Sequence, residues 1–276
     1  RDLTVTGVQT CALPIFTQII SGKDTNDSTS YYQPKPDFLS GIESGIQGLK
    51  IGVPTTYGNG PSGFLDPLHP EVQREMESSL AVFRSLGAKV VEIPLPENFE
   101  ISNNMANIIA GAESSSAHAN WLKEQPEDYG SQTRERLLTG LLFSAVDYLD
   151  ALKLRKVILE DFLKQVFDKV DVLHAPVVPL PVPTLEESNI QANQGFIEYL
   201  TLLGRFTRPF DYLGLPALSV PAGLTDNGLP PAPLMVAPPD APKSPPRPQR
   251  RRGRRASRRR RRPPPPLVCQ AAAPSL

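Results

Sequence analysis

Apolar positions along this chain fall into short blocks whose spacing assigns most of them to one element each. Phe16, Ile19 and Ile20 have the spacing of a helix's last turns, with Gly22 placed as its C-cap. Leu49 to Val53 is a brief apolar run ending at Pro54, a strand, and a glycine-rich loop follows over residues 57–63. A helix is expected from Pro70, where a first-turn proline loses no hydrogen bond, with Val72, Met76, Leu80 and Phe83 on one face. Gly87 ends it and Lys89 to Ile93 is a second strand. The two strands should therefore be parallel, joined by a right-handed crossover.

Further on, residues 102–123 read as a helix with small, alanine-rich faces. The longest helical stripe runs from Val146 to Asp168, with Tyr148, Leu152, Leu159, Phe162 and Val166 facing inward and Arg155 in the gap between them. An inward arginine needs either a buried carboxylate or a route for its head to reach water, and the ion pair is the preferred reading. Asp171 to Val178 is apolar enough for a strand buried on both faces, closed by prolines at 176, 179, 181 and 183. After a turn at Leu213 to Pro216, Ala217 to Val220 fits one more buried strand, stopped by Pro221 to Gly223. The pattern as a whole is α/β, a mixed sheet covered by helices.

Charge changes this picture at one end. The formal net charge of zero conceals a body that holds all 29 acidic residues against 17 basic ones, and a segment from Lys243 to Arg262 that holds the other 12 basic residues. From Pro230 onward there are 14 prolines and no apolar face. Such text cannot bury enough surface to offset its ordering entropy, so residues 229–276 are expected to be a disordered Pro/Arg-rich tail. Arginine runs bind phosphate backbones, which makes a nucleic-acid-binding tail the functional reading. A shifted reading frame in GC-rich DNA is the preferred one, and nucleic acid is not expected as a partner. At the other end, residues 1–15 look like a translated sequencing adapter and are set aside.

Candidate chemistry is sparse. Cys11 and Cys269 flank the patterned region and support neither a disulfide framework nor a thiolate metal site. Asp24, Asn26, Asp27 and Ser28 suit a polar turn better than an acid/base pair. The loop at Tyr57 to Gly63 lacks the spacing of a phosphate cradle. His69 should be an exposed residue ahead of its helix. Glu113, Ser114, Ser115, Ser116 and His118 contain the residue types of a triad, but lie on one helix without an oxyanion hole or strained elbow, so helix packing is preferred. His174 reads as a satisfied core histidine, with a pocket-facing one as the alternative. No metal and no cofactor is expected.

Four blocks taken together carry a resemblance: Ser21-Gly-Lys-Asp-Thr-Asn-Asp-Ser-Thr-Ser30, Gly48-Leu-Lys-Ile-Gly-Val-Pro54, Asp171-Val-Leu-His-Ala-Pro176 after its long helix, and Pro209-Phe-Asp-Tyr-Leu-Gly-Leu-Pro-Ala-Leu-Ser-Val-Pro221. In order and spacing they resemble the later part of the amidase signature domain, over roughly residues 16 to 230. The resemblance implies the C-terminal part of that fold in residues 16–228. It also implies amide hydrolysis through an acyl-enzyme, using a serine nucleophile, a second serine preceded by a cis peptide, and a lysine. In that family the lysine and both serines precede the block matching Gly22-x-Asp24-x-x-Asp27, and no Gly-Gly-Ser-Ser-like stretch occurs here.

The chain is therefore expected to be a fragment truncated at both ends, catalytically inactive alone. No catalytic residue is assigned within it, and substrate-binding residues are left unassigned. The intact enzyme is expected to be cytoplasmic, to act on a small-molecule amide without a membrane partner, and a homodimer is left open. One branch of the family, the A subunit of the glutamyl-tRNA amidotransferase, carries an aspartate where this chain has Gly204, which favours a general amidase over glutamine use. Arg136 and Arg155 fall where the family often has arginine. A non-catalytic scaffold with a nucleic-acid-binding tail is the remaining alternative.

Overall fold

The computed structural model describes residues 15–239, apart from 28–29, 31–33, 35–36, 40–43, 59–62, 189–195, 227 and 230–231. The adapter-like segment up to residue 14 and the arginine-rich stretch from 240 lie outside the described residues. Five strands form one sheet in the order β2-β1-β3-β5-β4. Here β1 is Lys50–Tyr57, β2 Lys89–Leu95, β3 Val172–Pro176, β4 Ala217–Ser219 and β5 Pro233–Val236. As expected, β1 and β2 are parallel; β3 joins β1 in parallel, and β5 pairs antiparallel with both β3 and β4.

A helical segment over residues 15–20 (α1) comes first, but its Phe16, Ile19 and Ile20 are exposed. The crossover between β1 and β2 is α2, Pro70–Ser85, whose Val72, Met76 and Leu80 are buried. Gly87 stops it with φ +88°, a conformation a side chain would resist, and Ala88 N–H then reaches back to Phe83 O at 3.0 Å. The other face of the sheet carries α3 (Ser102–Glu124), α5 (Ala145–Phe162) and α7 (Arg208–Leu213), with α4 (Ser131–Gly140) packed on α3; α6 is Phe196–Leu203. The period-two alternation of β3 separates the two layers. Leu173 and Ala175 join the large core with Phe99, Phe162 and Phe210, while Val172 packs with Ile51, Leu80 and Phe83 beneath α2. Gly52 has to be side-chain-free, because a Cβ there would lie 2.8 Å from Leu173 Cδ2 and 2.9 Å from Val170 Cγ2.

The structure corrects three expectations. Pro54 does not end β1: the strand continues to Tyr57, with a register irregularity after Pro54 that accommodates the missing donor. The buried stripe of α5 is Ala151, Ile158 and Phe162, continued by Val166 in a single π turn at Leu163–Phe167, so it is rotated from the expected face and Leu152 is exposed. The third correction concerns β4, which is not buried. Among the described strands it lies at the edge of the sheet, and Leu218 is 57% exposed.

Further along the chain, Pro233–Val236 occupies the place between β3 and β4 and buries Leu234 and Val236. Four apolar residues between prolines give no periodic signal. Only the neighbouring strands, by supplying partners on both sides, make them a strand.

Candidate functional site

One hydroxyl and one imidazole meet in this structure as a nucleophile and base would. The fully buried ring of His174 on β3 places Nε2 2.8 Å from Ser79 Oγ on α2. Ser79 Oγ also lies 2.8 Å from Met76 O, one turn earlier in the helix, and donates to it. His174 Nε2–H is then the donor to Ser79 Oγ, which leaves Nδ1 as the bare acceptor of a neutral ring. Nδ1 has no hydrogen-bond partner among the described residues, and burial pushes the His174 pKa down to about 4.

This arrangement opposes catalysis on each count. The nitrogen facing the hydroxyl carries a proton instead of a lone pair, no carboxylate orients the ring through Nδ1, and a base with a pKa near 4 has little driving force at neutral pH. His174 is a core histidine, as expected, satisfied on one nitrogen only. Ser79 was not anticipated. Its signal was a polar residue at the 72, 76, 79, 83 spacing of the inward face.

The serine-rich turn of α3 separates into unrelated seats. Ser115 is buried, with Oγ 2.7 Å from both Gly111 O and Leu137 O, where α3 crosses α4. The backbones approach so closely there that a Cβ on Gly140 would fall 2.1 Å from Ser115 Oγ. Ser114 and Ser116 are exposed. His118 turns to Tyr129 OH at 2.9 Å, and Glu113 accepts from Tyr148 OH at 3.0 Å. Helix packing accounts for the cluster. His69 caps α2, its Nδ1 accepting from Glu71 N at 3.3 Å, and Asp24 closes a turn by accepting from Asn26 N at 2.8 Å.

The arginines are placed differently from expectation. Arg155 lies on the inward side of α5 but is exposed, its guanidinium lying over Gly214, and it forms no ion pair among the described residues. The snorkelling alternative is the one realised. Arg208, at the start of α7, is partly buried and uses the space left by Gly204: a Cβ at 204 would sit 2.3 Å from its Nη2. Burial and then the like charge of Arg136 hold the Arg208 pKa below the usual guanidinium range, against a smaller opposing effect of Asp211. This is a cationic corner, with no ion pair to Arg136 or Arg208 among the described residues.

Two hollows flank α2. A cleft of about 110 Å3 lies between α2, the loop after β3 and the segment before β5, lined by Met76, Val178, Leu180 and Leu229 with Glu75 at its side. An open hollow of about 680 Å3 has Val53, Leu80 and Val90 as its floor and Glu77, Arg84 and Glu92 at its rim. Neither brings a nucleophile and a base together. Among the described residues no group of three His, Cys, Asp or Glu side chains converges to hold a metal ion, and no helix is long and apolar enough to cross a membrane.

Comparison with known proteins gives this framework its context. The amidase family profile matches residues 5–240. The A subunit of the glutamyl-tRNA(Gln) amidotransferase of Trichlorobacter lovleyi is 32% identical over 237 residues, covering 77% of this chain and 46% of the relative. An amidase of Pseudomonas putida is 32% identical over 216 residues, covering 78% and 45%. The crystal structure of the corresponding A subunit from Thermotoga maritima superposes with a TM-score of 0.63 at 29% identity, over 83% of this chain and 47% of that one. The chain thus spans about half the length of the curated relatives it matches.

Proposed function

The chain belongs to the amidase family, and from that premise we propose that it is the later part of an enzyme that hydrolyses a carboxylic amide. The observation that carries this reading is the family match across residues 5–240 in a sequence without the family's Gly/Ser-rich segment. On this reading the serine nucleophile, the second serine with its cis peptide, and the lysine belong to polypeptide outside this chain. The residues present build the sheet and helical layer against which that segment is held, and the chain alone is inactive. The unsuitability of the Ser79–His174 contact for nucleophilic catalysis supports the same division of labour.

A glutamine-using amidotransferase component is the second reading, favoured by the names of several relatives. Gly204 argues against it. The branch's carboxylate is absent at that position, and the Arg208 guanidinium fills the space, leaving a positive corner with Arg136. We therefore favour a general amidase acting on a small-molecule amide.

The test is to express the open reading frame that encodes this chain together with its preceding sequence, and to measure ammonia release from glutamine and from simple carboxylic amides. Release from simple amides, abolished by replacing the family serine or lysine, is expected. An intact product with those residues in place and no amide hydrolysis would overturn the proposal. Glutamine as the only substrate would transfer it to the second reading.

A further inference from the structure

The smaller of the two hollows beside α2, about 110 Å3, has walls from three segments of the chain. Val72 and Met76 of the helix are buried and give it an apolar floor. Val178 and Leu180 of the proline-rich stretch after β3, and Leu229 of the segment leading into β5, complete it.

Polar groups in this lining are few and mostly committed. Pro181 and Pro233 have no N–H to offer. The Thr225 hydroxyl donates to Leu229 O at 3.0 Å and accepts from Leu229 N at 3.1 Å, and Val177 N–H is taken up by Ala232 O at 3.0 Å. What remains is the carboxylate of Glu75, the one charged side chain among the lining residues.

The position of Glu75 depends on a glycine. A Cβ on Gly223 would collide with Oε2, so the carboxylate occupies space that only glycine leaves open. The Glu75 side chain is 14% exposed, whereas that of Arg74 is 53% exposed and turns to Asp226 at 2.9 Å. Arg74 Nε reaches Glu75 Oε1 only at 3.4 Å, the outer limit of a hydrogen bond, and Oε2 has no partner among the described residues. A half-satisfied carboxylate against apolar walls favours a donor that brings positive charge and little else that is polar.

We propose that this cleft binds a short aliphatic primary amine as its ammonium ion, with N–H donated to Glu75 Oε2 and the alkyl chain placed among Met76, Val178 and Leu180. Size sets the class: 110 Å3 accommodates roughly four water-sized groups, hence a chain of about three or four carbons. Three segments of chain surround this small space, which favours a free amine over a lysine side chain with its polypeptide attached. The assignment does not rest on the amidase reading, since no step of amide hydrolysis is placed in the cleft.

The test is a titration of the full chain, carrying isotope-labelled methionine methyl groups, with butylamine at neutral pH. Of its three methionines, Met76 lines the cleft and Met105 and Met235 do not. The Met76 signal is expected to shift saturably at millimolar amine while the other two stay in place. Affinity should rise about fourfold for each CH2 from ethylamine to butylamine. Glu75→Gln keeps the shape of the side chain and should weaken butylamine binding about tenfold, the equivalent of one charge-assisted hydrogen bond, with the weaker binding of neutral butanol unchanged.

A Met76 signal that does not respond to butylamine overturns the proposal, as does an unaltered affinity in Glu75→Gln. Equal affinities for butylamine and butanol overturn it by making the cleft apolar only. Tighter binding of a blocked lysine than of butylamine also overturns it, by assigning the cleft to a lysine side chain. The chain-length series and the butanol comparison use the unaltered protein, so they decide the matter even where Glu75→Gln fails to fold.

Discussion

Ser79 on α2 and His174 on β3 are linked by a 2.8 Å hydrogen bond that ties the helix on one face of the sheet to the strand beneath it. The neutral ring lies edge-on to Phe83, with centroids 5.7 Å apart, and its buried Nδ1 has no hydrogen-bond partner among the described residues. Folding therefore disfavours the imidazolium form.

Stability should depend on pH through this residue. The folded-state pKa of His174 is lowered from 6.5 to about 4 by burial, so between these values the unfolded chain binds more protons than the folded one. The His174 contribution is complete above the unfolded value and is lost as the pH falls toward about 4, amounting to roughly 3 kcal/mol across the window. Denaturant melts at pH 7 and pH 4.5 should show this slope. H174Q should flatten it, whatever it does to the midpoint at pH 7.

Close contact of α3 and α4 makes Gly140 intolerant of a methyl group. With Ser115 Oγ at 2.1 Å and Gly111 O at 2.3 Å from the position of a Cβ, G140A has to separate two backbones. A loss of about 1–3 kcal/mol is expected, read as a lower urea midpoint. A midpoint unchanged within error would show that the helices do not cross as described.

Phe162 is fully buried where α5 meets the sheet, 4.7 Å between ring centroids from Phe99 and 6.1 Å from Phe210. F162A leaves a cavity that these rings cannot close and should cost about 3–5 kcal/mol. Phe162 to Leu, which retains most of the volume, should recover much of that loss.

Arg155 offers the opposite expectation. Exposed and without an ion pair among the described residues, it can be replaced by Met with a change within about 0.5 kcal/mol. A loss of several kcal/mol on R155M would instead restore the buried ion pair that the residue's position in the helical stripe first suggested.

Much of the architecture was legible from residue types alone. The spacing of Val72, Met76, Leu80 and Phe83 between two short apolar runs fixed a β-α-β unit, since a crossover of that length joins parallel strands. Family membership was likewise legible, because four blocks kept their order. The orientation of α5 was not. Its apolar residues surround much of the helix, so Leu152 and Ile158 were equally eligible for burial until α7 and the sheet selected the face bearing Ala151 and Ile158.

Local sequence thus determined that most of these segments are helix or strand and which family they resemble, because backbone geometry and side-chain period are properties of neighbouring residues. Burial of β4, the partner of His174, the position of Arg208 beside Gly204 and the presence of β5 were decided by residues far away in the chain. Ala217 to Val220 is apolar, yet its place at the end of the sheet leaves Leu218 exposed, while Leu234 to Val236, weaker as a signal, becomes an interior strand because β3 and β4 lie on either side of it.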